Sequence, residues 1–486
     1  MSRSKLFWGL LLIALLCRIV LMVLVPLTDP SEARYAEIAR VMADSQDWVT
    51  PWFAPGVPFW GKPPAAFWGQ ALAINLFGVS EFTVRLPALL ASLLTMLIIY
   101  GMARNLKGVL VARWTLMIYS SSLLPFVMAG AVLTDPFLVL GSTWIMAGII
   151  MAPRSTRWYW RYGLFLGTAL GLLAKGPLVL VLAAGAVLPW LIYSLQAWET
   201  LRAQPWWRGS LLTVLITLPW YIAAEIKTPG FLYYFLVGEH LLRFIQPGWA
   251  GDLYGGAHDH PRGTIWLYYL VGTFPWVLWL VYGAWTQRKT RISPPGPLTV
   301  YLLGWALFTP LFFTLSGNIL WTYVLPALPA FSLLLADVIV CAQSEQGRQW
   351  RRQGYWGAVS TLVPVLMVMT CGVLLYMPEQ LKSEKNLVAY LKEHNPDSEV
   401  VFIGEPTYSA QFYSAGEVSS LSAKALLERW QNGGELPSYV IVPNRKQGSL
   451  PPEYQRVISA KNTGLYQRSF NQVVLDEVSS EPGGEG

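Results

Sequence analysis

Apolar runs of roughly 17–25 residues, the length that spans a bilayer as helix, recur along the first 377 positions of this 486-residue chain. They fall near 6–25, 86–103, 109–128, 136–152, 162–174, 177–195, 209–224, 264–285, 297–315, 320–340 and 358–377. That makes about eleven, with a range of 11–13. Backbone polar groups inside lipid must pair within their own segment, so runs of this length predict helices. The chain therefore reads as a mainly α, polytopic membrane protein. Apolar residues make up 54% of it and charged residues 13%, about half the charged share of a soluble domain, which excludes a soluble globular protein.

Lys and Arg set the expected orientation, because cytoplasmic loops hold the positive charge. The N-terminus carries Arg3 and Lys5. Alternate connections carry Arg104, Lys107 and Arg113; Arg154, Arg157 and Arg161; Arg202 and Arg208; Arg288, Lys289 and Arg291; Arg348, Arg351 and Arg352. Connections 129–135 and 316–322 have none. The alternation predicts a cytoplasmic N-terminus, with loops 26–85 and 225–263 and the tail 378–486 on the outer side of the membrane. The net charge of +7 follows from that topology and calls for no nucleic acid. The first run has a basic start and no small-residue cleavage site, so it reads as a retained helix. Cys17, Cys341 and Cys371 fall in or beside predicted helices and suggest no disulfide framework.

Two domains are expected: a membrane domain over 1–377, with juxtamembrane helices in loop 26–85, and a soluble α/β domain over 378–486. In the tail, 385–394 and 423–430 have helical spacing, while 399–405, 438–444 and 471–478 read as strands. Glu481–Gly486 reads as a frayed end.

Residues able to do chemistry gather in the external loops. Asp29 and Glu32 stand at the membrane exit of the first run, where either carboxylate can act as a general base. Arg34 follows. Glu37 and Arg40 either join them or merely solvate a helix lying at the interface. Lys62 precedes Pro63-Pro64, which stiffen the backbone and fix the direction of its ammonium. A fixed cation beside a carboxylate suits a phosphodiester leaving group. Asp135 sits in a short turn between apolar runs, where a carboxylate is costly; it is a functional group, a helix N-cap, or both. Lys175 precedes a Gly176-Pro177 break, as a second phosphate contact, a partner for an acid, or a snorkelling lysine. Glu239, His240 and Arg243 share one stretch. Arg243 can grip a phosphate or pair with Glu239, and Glu239 and His240 can meet substrate. His258, Asp259 and His260 could in principle hold a divalent metal, but adjacent loop positions are a poor ligand pattern, and no metal or other cofactor is expected. Tyr323 opens an apolar helix, to bond substrate or to sit in an interfacial aromatic belt.

In order, SEARYAEIAR, PFWGKPP, EFTVRLPALL, LTDPFL, LAKGPL, GEHLLRF and TYVLPALPA resemble the bacterial C-type membrane glycosyltransferases, over about residues 5–340. These include the protein O-mannosyltransferases and the lipid A aminoarabinose transferases, and the external tail is most similar to the latter branch. The resemblance implies an inverting transfer of sugar from a polyprenyl phosphate to an envelope acceptor on the periplasmic face: lipid A, another glycan, or protein. It implies carrier-phosphate binding by Lys62 and Arg243, with Lys175 and Arg34 beside them, and matches Asp135 to the family's second acidic site. Ser31 stands where relatives commonly carry the first of two acids, leaving Glu32, with Asp29 as neighbour, to supply the carboxylate. Gly61 stands where relatives often carry Glu. A lipid-linked-sugar flippase is the rival from another class, but it predicts inverted repeats and mid-bilayer ionisable groups, whereas the charges here cluster at one face.

Overall fold

The computed structural model describes residues 3–246, 248–255, 258–280, 294–346, 349–396 and 399–469. The chain divides into two compact units, one of Met1–Val25 with Ile38–Cys371, the other of Pro26–Glu37 with Gly372–Gly486. Seven helices among the described residues are long and apolar enough to cross a membrane: Lys5–Leu24, Glu81–Lys107, Asp135–Arg154, Trp206–Lys227, Pro297–Thr314, Trp321–Cys341 and Val359–Tyr376. Each coincides with an expected run. Ala65–Phe77, Gly163–Lys175 and Leu178–Tyr193 are shorter apolar helices.

Two expected runs are broken, for local reasons. Between 109 and 128 the chain forms Val109–Ser121 and Leu123–Met128. Ser121 and Ser122 turn their hydroxyls back onto the carbonyls of Met117 and Ile118, and Pro125 has no N–H to continue the ladder. The run from 264 is helical over Thr264–Gly272 and is interrupted before Pro275, where Phe274 O accepts the Leu123 N–H at 2.9 Å. Its end, 281–285, lies outside the described residues, as do Arg288, Lys289, Arg291 and Arg348.

The packing that matters most for the site joins Asp135–Met151 to Gly163–Lys175. They run antiparallel across the connection 152–162, and glycines line the seam. A Cβ on Gly148 would stand 2.4 Å from Leu164 N, and one on Gly141 2.8 Å from Gly167 O. Small residues let two backbones touch where lipid offers no hydrophobic drive to associate. The antiparallel register brings the first residue of one helix, Asp135, to the last residue of the other, Lys175. Gly148→Ala should push the backbones apart and cost about 1–3 kcal/mol, read as a lower melting temperature of the purified protein. An unchanged melting temperature would mean that the seam is looser than drawn.

In the first loop, β1 (Trp52–Ala54) and β2 (Val57–Pro58) form an antiparallel hairpin turned at Gly56. Lys62 is held between that hairpin and the helix Ala65–Phe77. The Tyr254 hydroxyl donates to Pro58 O at 2.7 Å and accepts from Trp60 N at 3.0 Å, tying this turn to a later loop.

The second unit contains a five-stranded sheet built from β3 (Val400–Ile403), β4 (Val418–Leu421), β5 (Tyr439–Pro443), β6 (Tyr454–Ser459) and β7 (Thr463–Arg468). The order is β4-β3-β5-β7-β6, with β3 parallel to β4 and β5, and β7 antiparallel to both its neighbours. Lys385–His394 and Ala423–Gln431 are helical as expected, and β3 and β5 occupy the expected strand positions. The strand expected at 471–478 and the Gly-rich end lie outside the described residues. Residues 26–37 belong to this unit: the Leu27 N–H reaches the Tyr413 hydroxyl at 2.7 Å and Asp29 N–H reaches Lys382 O at 2.9 Å.

The helix Ser31–Ser45 begins in this unit and ends in the other. Glu37 and Arg40, read as possible solvating charges, are buried instead, each 6% exposed, and Arg40 bonds Asp44 one turn on.

Candidate active site

Three cations converge in the first unit, each placed by a different local device. Lys62 follows the β1–β2 hairpin, and its ammonium pairs with Glu239 at 3.2 Å. Glu239 lies on Tyr234–Leu242, wound as a π-helix, a wider turn often found at functional sites. Its other carboxylate oxygen takes the Arg243 guanidinium at 2.9 Å. Arg243 in turn reaches Asp252 at 3.4 Å. Burial alone would raise the Glu239 carboxyl; Lys62 and Arg243 outweigh it and hold the acid below its ordinary range. For Arg243, burial works downward, and Glu239 and Asp252 more than reverse it.

Lys175 ends its helix, and Gly176 turns the chain with φ +71°. A Cβ there would sit 2.5 Å from the Phe235 ring, so position 176 requires glycine twice over. The Lys175 ammonium pairs with Asp135 at 2.8 Å and lies 4.9 Å from the centre of the Tyr323 ring. Both members of the pair are buried. His240 has each ring nitrogen on a carbonyl, Phe235 O at 2.7 Å and Lys175 O at 2.9 Å. Burial pushes its pKa down.

Lys62, Lys175, Glu239, His240, Arg243 and Tyr323 line one cavity of about 100 Å³, with Phe312 and Phe313 on its apolar side. Asp135 stands directly behind Lys175. The cations Lys62, Lys175 and Arg243 are thus balanced by Asp135, Glu239 and Asp252 around a hollow fit for a small anion. Asp252 was not singled out from sequence; its only signal is an acid in the glycine-rich loop soon after Arg243.

Asp29, Glu32 and Arg34 belong to the second unit. Asp29 accepts from Ser409 N at 3.2 Å. Burial, then the Glu384 charge, raises its pKa from an ordinary 3.8 to about 7. Glu32 lies in the first turn of Ser31–Ser45. The Arg34 guanidinium lies 5.4 Å from the Tyr35 ring centre and 6.0 Å from that of Tyr408. In the first unit, His258 N donates to Asn318 Oδ1 at 3.1 Å, Asp259 bridges to Asn318, and His260 meets the Tyr268 hydroxyl at 3.3 Å. Among the described residues no group of three or more His, Cys, Asp or Glu could hold a metal ion.

Residues 5–235 match the family described as dolichyl-phosphate-mannose-protein mannosyltransferase. An undecaprenyl phosphate-alpha-4-amino-4-deoxy-L-arabinose arabinosyl transferase of Edwardsiella ictaluri is 33% identical over 338 residues, covering 68% of this chain and 58% of that protein. The Yersinia pestis protein of the same name is 31% identical over 386 residues, covering 76% and 64%. The chain thus spans about three fifths of the length of the curated relatives it matches. Among solved structures, ArnT from Cupriavidus metallidurans bound to undecaprenyl phosphate aligns with a TM-score of 0.73 at 19% identity, over 97% of this chain and 99% of that one. The fold is therefore shared with that protein.

Proposed function

We propose that this chain, whose residues 5–235 match the family described as dolichyl-phosphate-mannose-protein mannosyltransferase, is an inverting glycosyltransferase. It moves a sugar from a polyprenyl phosphate, such as undecaprenyl phosphate carrying 4-amino-4-deoxy-L-arabinose, to lipid A. The observation that carries this reading is the meeting of Lys62, Lys175 and Arg243, from distant parts of the sequence, on one cavity with an aromatic side. The curated names of the relatives, and the undecaprenyl phosphate bound to the similar Cupriavidus protein, support the same donor.

Lys62 and Arg243 take the carrier phosphate, and Glu239, shared between them, aims both head groups. Lys175 adds a third positive charge, fixed by Asp135, and Tyr323 borders the same cavity. His240 is a brace: its ring sits between the backbone carbonyls of Phe235 and Lys175, and the nitrogen that carries the proton donates to one of them. An acceptor hydroxyl attacks the anomeric carbon from the face opposite the phosphate. The C–O bond to phosphate breaks, its electron pair leaves on the phosphate oxygen, and the hydroxyl proton passes to a carboxylate. Phosphate departs as a stable anion, so positioning, charge stabilisation and one base suffice. We assign the base to Glu32, because Asp29 is engaged by Ser409 and keeps its proton up to about pH 7. The charge pattern of the loops supports eleven spans, a cytoplasmic N-terminus and a periplasmic C-terminal unit.

Purified protein in detergent, given radiolabelled undecaprenyl-phosphate aminoarabinose and lipid A, is expected to release labelled lipid A without any gradient. No labelled product in detergent, with labelled donor crossing the bilayer once the same protein is reconstituted in vesicles, would replace this reading with the flippase.

A further inference from the structure

Glu384 is a buried acid far from the cavity residues in sequence, and the transfer chemistry makes no use of it. One of its oxygens accepts from Thr407 Oγ1 at 2.8 Å and from the Ser409 hydroxyl. The other accepts from Thr463 Oγ1 at 3.0 Å. Its backbone N–H donates to Ser409 Oγ at 3.1 Å. Three hydroxyl donors thus converge on this carboxyl. Its neighbour within the same unit is Asp29. Asp29 Oδ1 accepts from Ser409 N, but its Oδ2 is buried and no donor reaches it. Two buried carboxyls side by side cannot both ionise. A proton on Asp29 Oδ2, donated to Glu384, resolves the arrangement.

We propose that Glu384 is a positioning residue for the transfer reaction: it accepts a hydrogen bond from protonated Asp29, and that bond holds residues 26–37, which carry Glu32, against the C-terminal module. The proposal rests on the glycosyltransferase reading, since it gives Glu384 a part in placing the base. The other contacts of the segment run the same way, Leu27 to Tyr413 and Asp29 N to Lys382 O. The charged and titratable groups around the pair are Arg34, Tyr408 and Glu405, with Lys385 packed on the Tyr413 ring and Lys392 on its carbonyl. Because the folded pKa of Asp29 is raised, the bond stabilises fully at acid pH and fades as pH climbs from the ordinary 3.8 through about 7.

The test compares Asp29→Ala with Asp29→Asn in the full-length protein, following both backbone hydrogen exchange and donor turnover across pH. An asparagine amide reproduces the donor of a protonated aspartic acid without titrating; alanine cannot. In Asp29→Ala, exchange at 27–37 should rise, and kcat should fall, by about tenfold, with donor KM and the protection of β3 and β5 unchanged. Asp29→Asn should match the parent at acid pH and escape the parent's loss of protection above about pH 7. Glu384→Ala should repeat Asp29→Ala, and the protection of β3 and β5 shows whether its module still folds. Unchanged exchange in Asp29→Ala would overturn the bond. Raised exchange with unchanged kcat would overturn its part in the reaction. An asparagine variant that behaves like the alanine would overturn the proton. Should the parent itself transfer no sugar, the glycosyltransferase reading fails, and the exchange data show that failure separately from a failure of the bond.

Discussion

Lys62→Ala lowers turnover of a polyprenyl-phosphate sugar by about a hundredfold or more, while folded protein accumulates in the membrane at the parent level. The first part follows from the place of Lys62. Its ammonium lines the cavity, and in the proposed transfer charge builds on the phosphate oxygen as the sugar leaves. Removing one preorganised donor to such charge costs about 3–4 kcal/mol of transition-state stabilisation. The second part follows from what remains. Glu239 keeps Arg243 at 2.9 Å, so no buried carboxylate is left without a cation. The loss should fall on kcat with a lesser change in KM, because the interaction strengthens in the transition state. Lys62→Arg restores only part of it, since a guanidinium fork does not reproduce a point charge. Parent-like kcat in Lys62→Ala would remove the carrier phosphate from this cavity.

The cation side of this site was legible because each member sits in a short-range signal. Lys62 is marked by two prolines, Lys175 by a Gly-Pro break, and Arg243 by a Glu four residues before it. Such signals survive without knowledge of the fold, since neighbours in sequence fix the side chain. What joins them was not legible. Asp252 is an ordinary loop acid until Tyr234–Leu242 winds as a π-helix and presents Arg243 to it. The residues of a π-turn look like those of an α-turn. The Gly163, Gly167 and Gly171 ladder was present at helical spacing and explains the Asp135–Lys175 pair, yet it reads as ordinary apolar helix until the partner glycines are known. In the tail, β3 and β5 were legible as unbroken apolar strands with central places in the sheet. β4 and β6, at its edges, carry too many exposed polar residues for that pattern. Asp29 was ambiguous for a different reason. It stands three residues before Glu32 with the same chemistry, and only a partner found 380 residues away separates the two.

Glu32→Gln should therefore be far more damaging than Asp29→Asn. Glutamine keeps the size of the Glu32 side chain and its ability to hydrogen-bond, but it cannot take a proton. If Glu32 accepts the acceptor's hydroxyl proton, kcat falls by about a hundredfold to ten-thousandfold. Donor binding should be nearly unchanged, because the phosphate contacts proposed above lie on other residues. Asp29→Asn replaces a carboxyl that the folded protein keeps protonated up to about pH 7 with an amide that donates in the same way, and so leaves kcat close to the parent value near that pH. Steady-state rates of both variants at pH 6 and pH 8 decide the matter. At pH 6 Asp29 is mostly protonated in the parent, so asparagine imitates it. At pH 8 the parent has largely lost that proton, and the asparagine variant should match or exceed it. An intact Glu32→Gln beside a dead Asp29→Asn would transfer the role of base to Asp29. It would also require the Asp29 carboxyl to leave Glu384 and Ser409 during turnover, since a proton acceptor must be ionised when the acceptor hydroxyl arrives.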